Sequence, residues 1–190
     1  MIYLIDMTDQ QQPLLFEEFV RPLLHIIGKE TSRYKVITPQ EIDTSQMEQA
    51  DGVILSGTAL KDNAYLTEKH RLGPIFSKNI PVLGICAGAQ VMASYYGALI
   101  SASVEIGMHS FTILEPDDPL LQDTSSHTGY VLHTLGITSL PPTLQPLLTS
   151  DTMTQLFRHV DKPHYGVLFH PEVRWHHLIT NFINSMAYKS

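Results

Sequence analysis

One cysteine in 190 residues leaves no partner for an internal disulfide. That suits a reducing compartment, and a cytoplasmic location is the expectation. Basic side chains are also scarce, with 12 Lys and Arg against 19 Asp and Glu and a formal net charge of −7. An acidic surface repels phosphate backbones and anionic headgroups, so neither nucleic acid nor a membrane is an expected partner. Charged residues make up only 16% of the chain and apolar ones 43%, the balance of an ordinary globular protein. No repeat, low-complexity tract or interdomain linker is visible, so residues 1–190 read as one domain, long enough to bury a core. The N-terminal Met-Ile-Tyr-Leu-Ile meets Asp6 at once and does not read as a signal peptide. One uncharged stretch, residues 79–104, is long enough to span a bilayer. Pro81, Gly84, Gly88, Gln90 and Gly97 interrupt it, and its pattern changes from strand to helix. It reads instead as the buried centre of the domain.

What is present is a regular alternation. Apolar runs predict strands at 1–5, 34–38, 52–55 and 82–85. Helices are predicted between them: 13–28, opened by Pro13, kinked at Pro22 and ended by Gly28; a short one at 45–49; and 64–77. Past residue 86, Val91, Met92, Tyr95, Tyr96 and Leu99 recur at helical spacing. The second half predicts strands at 101–104, 110–114, 130–132, 153–157 and 165–169, with loops at 116–119 and 141–146. Few helices separate these strands, so some must run antiparallel. A last helix carries Trp175, Leu178, Ile179, Phe182, Ile183 and Met186 as one apolar stripe. The pattern predicts an α/β fold: a doubly wound, mostly parallel central sheet with helices on both faces, plus a small antiparallel β portion. Ligands of such sheets bind beyond the carboxyl ends of the strands, where Ser56, Cys86 and His170 all fall.

Cys86 sits where the 82–85 strand enters a helix, with Gly84 and Gly88 two residues away on either side. A lone cysteine among apolar residues is by itself a small core residue. The paired glycines change that reading, because Gly-x-nucleophile-x-Gly is the elbow that lifts a nucleophile out of a sheet on a strained turn. The helix N-terminus then points free amides and partial positive charge at the sulfur, favouring the reactive anion. A thiol nucleophile needs a base, and the base an orienting group. His170-Pro171-Glu172 follows a predicted strand end and supplies both, with Pro171 limiting motion between them. Adjacent His176 and His177 face different ways on a helix and lack metal-pair spacing, so no metal site is expected, and no cofactor.

Gly84-Ile85-Cys86-Ala87-Gly88-Ala89-Gln90 together with Phe169-His170-Pro171-Glu172-Val173 closely resembles the class I, or triad, glutamine amidotransferases. Ile54-Leu55-Ser56-Gly57 matches the family's glycine-rich oxyanion loop, and His133 with Leu140-Pro141 resembles its Ser-His segment and downstream Leu-Pro. Within the family the chain is most like the glutaminase domain of GMP synthase, on its length, Val104-Glu105-Ile106-Gly107 and Asp118-Pro119-Leu120-Leu121. The resemblance implies a glutaminase with Cys86 as nucleophile, His170 as base and Glu172 as orienter. It implies oxyanion donors among Gly57, Thr58 and Ala87, and glutamine contacts at Gln90 and His133. It also implies a separate synthetase subunit that accepts the ammonia, since the chain shows no nucleotide-binding signature of its own. Two departures stand out: the family's Gly-Gly-Pro or Pro-Gly-Pro loop is Gly57-Thr58-Ala59 here, and Ala89 replaces its common histidine. A stand-alone cysteine hydrolase of γ-glutamyl compounds and a non-catalytic binding module on the same fold remain as alternatives.

Overall fold

The computed structural model describes residues 1–187. Its strands are β1 (Ile2–Ile5), β2 (Tyr34–Ile37), β3 (Gly52–Leu55), β4 (Val82–Ile85), β5 (Leu99–Ser110), β6 (Thr112–Ile113), β7 (Thr128–Ser139), β8 (Leu144–Thr149), β9 (Thr154–His159) and β10 (His164–Val167). Its α-helices are α1 (Pro13–Leu15), α2 (Arg21–Glu30), α3 (Thr44–Met47), α4 (Lys69–Ser77), α5 (Ala87–Tyr95), α6 (Pro171–Arg174) and α7 (His176–Ala187). Eight strands form one sheet in the order β2-β1-β3-β4-β10-β9-β8-β6, and β5 pairs with β7 as a separate antiparallel ribbon. The first five in that order run parallel, and β9, β8 and β6 continue antiparallel.

The strands read as unbroken apolar runs because both faces of the sheet are covered. Leu4, Ile54, Leu83 and Ile85 face one core with Leu23 and Ile27 of α2 and Phe182 of α7. Tyr3, Ile5, Val53, Leu55 and Val82 face the other, with Phe76 of α4 and Met92 of α5. The doubly wound architecture expected from the alternation is the one observed.

Several boundaries differ from the sequence expectation, each for a local reason. The helix predicted over 13–28 is three pieces, with a π-helical turn at Phe16–Val20 between α1 and α2. The wider turn puts Pro22 in the first turn of α2, where its missing N–H costs nothing, and the helix runs through Gly28 to Glu30. The segment 64–77 is a 3-10 helix, Ala64–Glu68, followed by α4. Leu99 is not on α5: Gly97, at φ +92°, ends the helix, and Leu99 opens β5 exposed to solvent. The strands expected at 101–104 and 130–132 are fragments of two twelve-residue strands. The loop expected at 141–146 is partly β8, which carries Pro146 beside a register shift where its lost donor is tolerated. Among the described residues, no helix is long and apolar enough to cross a membrane.

The closest approach to backbone atoms lies under α5. A Cβ on Gly84 would fall 2.6 Å from the backbone of Gly88, and one on Gly88 would fall 2.5 Å from Leu55 Cβ and 2.9 Å from its carbonyl oxygen. Strand β3 is paired on both sides and cannot yield. Gly88→Ala is therefore expected to lose about 1–3 kcal/mol of stability by overpacking. Gly28→Ala, whose methyl would approach nothing nearer than 3.6 Å inside α2, should gain roughly 0.4–1 kcal/mol. Urea unfolding of both variants checks the pair, and a Gly88→Ala protein as stable as wild type would refute the close-packing account.

Candidate active site

Cys86 stands between β4 and α5 at φ 47°, ψ −101°, in the left-handed half of backbone space that a residue with a Cβ seldom occupies. Bonds on both sides hold it there: its N–H donates to Val167 O on β10 at 2.7 Å, and its carbonyl accepts from Gln90 N at 2.9 Å. The residue is 4% exposed and is the start of α5, so the Ala87 amide behind it has no helical partner. The thiol donates a long bond, 3.7 Å, to Leu132 O of β7.

His170 lies just past β10 and before α6, and its N–H donates to Tyr130 O of β7 at 2.8 Å. Its Nδ1 is 2.7 Å from Glu172 Oε1, and both side chains are buried. Its Nε2 has no hydrogen-bond partner among the described residues. Gly57, just past β3, fits between ring and cysteine: a Cβ there would lie 2.9 Å from His170 Cε1 and 3.4 Å from Cys86 Cβ. The three strand ends named from the sequence thus converge on one point, too tight for a methyl group. Burial opposes the His170 cation, but the Glu172 carboxylate and the Cys86 sulfur outweigh it and hold its pKa well above the ordinary value.

Of the other expected residues, Thr58, Ala87, Gln90 and His133 line a cavity at Cys86, and Gly57 does not. Tyr65 and Leu132 line it beside Cys86 too, and it measures about 10 Å³, room for one water. Gln90 Nε2 donates to Leu135 O at 2.6 Å, and its Oε1 accepts a short bond from the Tyr65 hydroxyl. Burial, with Cys86 and Asp62 nearby, pushes the Tyr65 pKa up, so the phenol keeps its proton and donates. Thr58 Oγ1 donates to Asp62 Oδ2 at 2.7 Å, which pins the loop after β3. The ring of His133 turns towards β5: Nδ1 is 3.3 Å from Ser103 O, and Nε2 is 3.3 Å from Glu105 Oε2, within ion-pair range but off the line of a hydrogen bond. Tyr65 and Asp62 also line an open outer cleft of about 590 Å³ with Asp6, Asp9 and Glu68. Sequence reading misses Tyr65, Asp62 and the β7 carbonyls; Tyr65 reads as one position of a predicted helix, and a backbone acceptor carries no side-chain signal.

The raised His170 pKa sets a pH dependence. The stabilisation is fully present below the unfolded value of about 6.5 and is lost as pH rises through the higher folded value. The wild-type ring is therefore expected to be an imidazolium near neutral pH. In Glu172→Gln burial acts with less opposition, and the ring should be neutral under the same conditions. Nitrogen NMR of the histidine ring reads this directly, and a variant ring still protonated at neutral pH would show that Glu172 is not the cause.

The chain matches the family described as glutamine amidotransferase class-I over residues 15–187. It is 33% identical over 141 residues to a glutamine-hydrolysing GMP synthase subunit of Thermoplasma acidophilum, spanning 72% of this chain and 70% of that protein. The corresponding GMP synthase subunit of Methanosarcina barkeri is 34% identical over 143 residues, 72% of this chain and 74% of the relative. A solved structure from Thermoplasma acidophilum, described as that of a GMP synthase subunit, superposes at a TM-score of 0.85 with 27% identity, covering 98% of this chain and 94% of that one. A glutamine amidotransferase structure from Thermotoga maritima shares the fold at 20% identity and a TM-score of 0.69, over 99% of this chain and 83% of that one. With a sharp cysteine elbow, a carboxylate-bonded histidine at the adjacent strand end and a match across nearly the whole length, the chain is an enzyme of the class-I glutamine amidotransferase family.

Proposed function

We propose that this chain is the glutaminase component of a two-chain GMP synthase, hydrolysing glutamine to glutamate and ammonia and passing the ammonia to a separate synthetase chain. The observation that carries this reading is the buried elbow cysteine beside a buried histidine bonded through Nδ1 to Glu172, in a chain about a third identical, over the aligned residues, to the glutamine-hydrolysing GMP synthase subunits of Thermoplasma acidophilum and Methanosarcina barkeri.

Each residue has its own share of the chemistry. The Cys86 thiolate adds to the side-chain carboxamide carbon of glutamine. Negative charge on the carbonyl oxygen is met by the Ala87 amide at the start of α5 and by the amide of Gly57 or Thr58. The His170 imidazolium gives its proton to the departing nitrogen, ammonia leaves, and a γ-glutamyl thioester remains. The neutral ring then takes a proton from water, which adds to the thioester carbon and releases glutamate and the thiolate. Glu172 keeps the ring oriented and stabilises its charged form throughout. Gln90 and His133 form part of the wall against which glutamine is held.

A cavity of about 10 Å³ does not admit glutamine, and the Thr58–Asp62 bond pins the loop that must supply an oxyanion donor. The isolated chain is therefore a slow glutaminase, and docking of the synthetase with its activated substrate rearranges residues 57–65. A missing oxyanion donor costs about 100- to 1000-fold in turnover.

Two measurements test the reading. A glutamine-derived diazo-ketone should label Cys86 stoichiometrically, and Cys86→Ala should lose at least about 1000-fold in glutaminase rate. Labelling elsewhere, or retained activity, would refute the assignment. Thr58→Gly should raise the basal rate of the isolated chain about 10-fold or more and shrink activation by the partner. An isolated wild type as fast as the assembled complex would show that the loop is already formed.

A further inference from the structure

The ribbon stretch around Glu105 has no part in the chemistry above. Yet Glu105 is the only Asp, Glu, Lys or Arg on β5 or β7, and it points inward at 5% exposure while its neighbours Val104 and Ile106 are exposed. Its Oε1 accepts from Ser150 Oγ at 3.0 Å and Thr152 Oγ1 at 2.5 Å, and its Oε2 accepts from Gln155 Nε2 at 2.6 Å. Burial works against this carboxylate, but those bonds outweigh it and keep its pKa below the ordinary value. The donors lie on or between β8 and β9 of the main sheet, so one side chain bolts the ribbon to the rest of the molecule.

What the ribbon carries gives the bolt its meaning. Glu105 sits directly opposite His133 in the β5–β7 ladder. Around His133, β7 offers three carbonyls to the site: Tyr130 O to His170 N–H, Leu132 O to the Cys86 thiol and Leu135 O to Gln90. A two-stranded ribbon is marginal without support, and this one has a register shift between Ala102 and Glu105 that interrupts its ladder. We propose that Glu105 is a positioning residue for the glutaminase site, fixing through His133 and the β7 backbone the height of the pocket wall over Cys86. It acts without touching substrate. The proposal rests on the glutaminase reading, and its test separates the two.

The test is steady-state kinetics on the whole chain, with rates expressed per Cys86 labelled by the diazo-ketone so that unfolded protein drops out. Glu105→Gln keeps the volume and turns an amide donor towards the hydroxyls and amide that donate to it. The catalytic dyad of His170 and Glu172 keeps its own bond, so the loss should fall on the wall that binds glutamine. KM is expected to rise about 10- to 100-fold, the scale of one charge-assisted hydrogen bond, with kcat per site falling less than about 5-fold. Adding Gln155→Glu restores a donor–acceptor pair across the same 2.6 Å contact, and KM should return to within about 3-fold of wild type. If Glu105→Gln does not fold, Thr152→Val removes one donor only and should raise KM about 3- to 10-fold. Unchanged KM and kcat per labelled site, or a double variant that recovers its melting temperature and not its KM, overturns the positioning role alone. A wild type that neither hydrolyses glutamine nor takes the label overturns the glutaminase reading and this one with it.

Discussion

Everything at the site depends on how closely α5 approaches the sheet. With glycine at 84 and 88, backbone meets backbone, and the helix start is pressed against the ends of β3 and β4. That contact leaves Cys86 one way to connect strand to helix, the left-handed conformation it adopts. The same contact places the Ala87 amide, Gly57 and the sulfur together, because β3 and β4 are neighbours and end at the same level. β10 lies on the other side of β4, so His170 arrives at the end of the adjacent strand. Gly57, Cys86 and His170, far apart in sequence, are thus brought together by strand order and one tight crossing.

The molecule splits its labour between two layers. The parallel sheet holds the reactive groups, each fixed by strand pairing and by buried bonds such as Cys86 N–H to Val167 O. The ribbon and the loop after β3 line the cavity beside Cys86. The ribbon is joined to the rest of the molecule by Glu105 with its three donors and by carbonyls of β7, one of which takes the His170 N–H, while the Thr58–Asp62 bond closes the loop upon itself.

The parallel half of the fold is legible in the sequence because its strands are continuous apolar runs, and because elbow and histidine motifs mark two strand ends. The ribbon is not. β5 buries only Glu105 outright, and the two long strands contain glycines at 107, 129 and 136, so only fragments stand out as strands. Pro146 misleads: it reads as loop but lies in β8 beside a register shift, whereas the interruption expected at Pro22 is present as the π-helical turn just before it. Within the site, Cys86, His170 and Glu172 are readable from their motifs. Tyr65 is not, since its role comes from a bond to Gln90 twenty-five positions away, and Leu135 acts through its backbone alone.

The positive φ of Cys86 has a bearing on how such a chain changes over generations. A strained backbone of this kind costs about 1–3 kcal/mol, a large share of a small protein's margin. Substitutions that relax the turn would make the protein sturdier while removing its thiol, so drift under selection for stability alone runs towards glycine at this position. A cysteine that persists there is held by selection for its sulfur, and a descendant released from that selection should lose the elbow before it loses the fold.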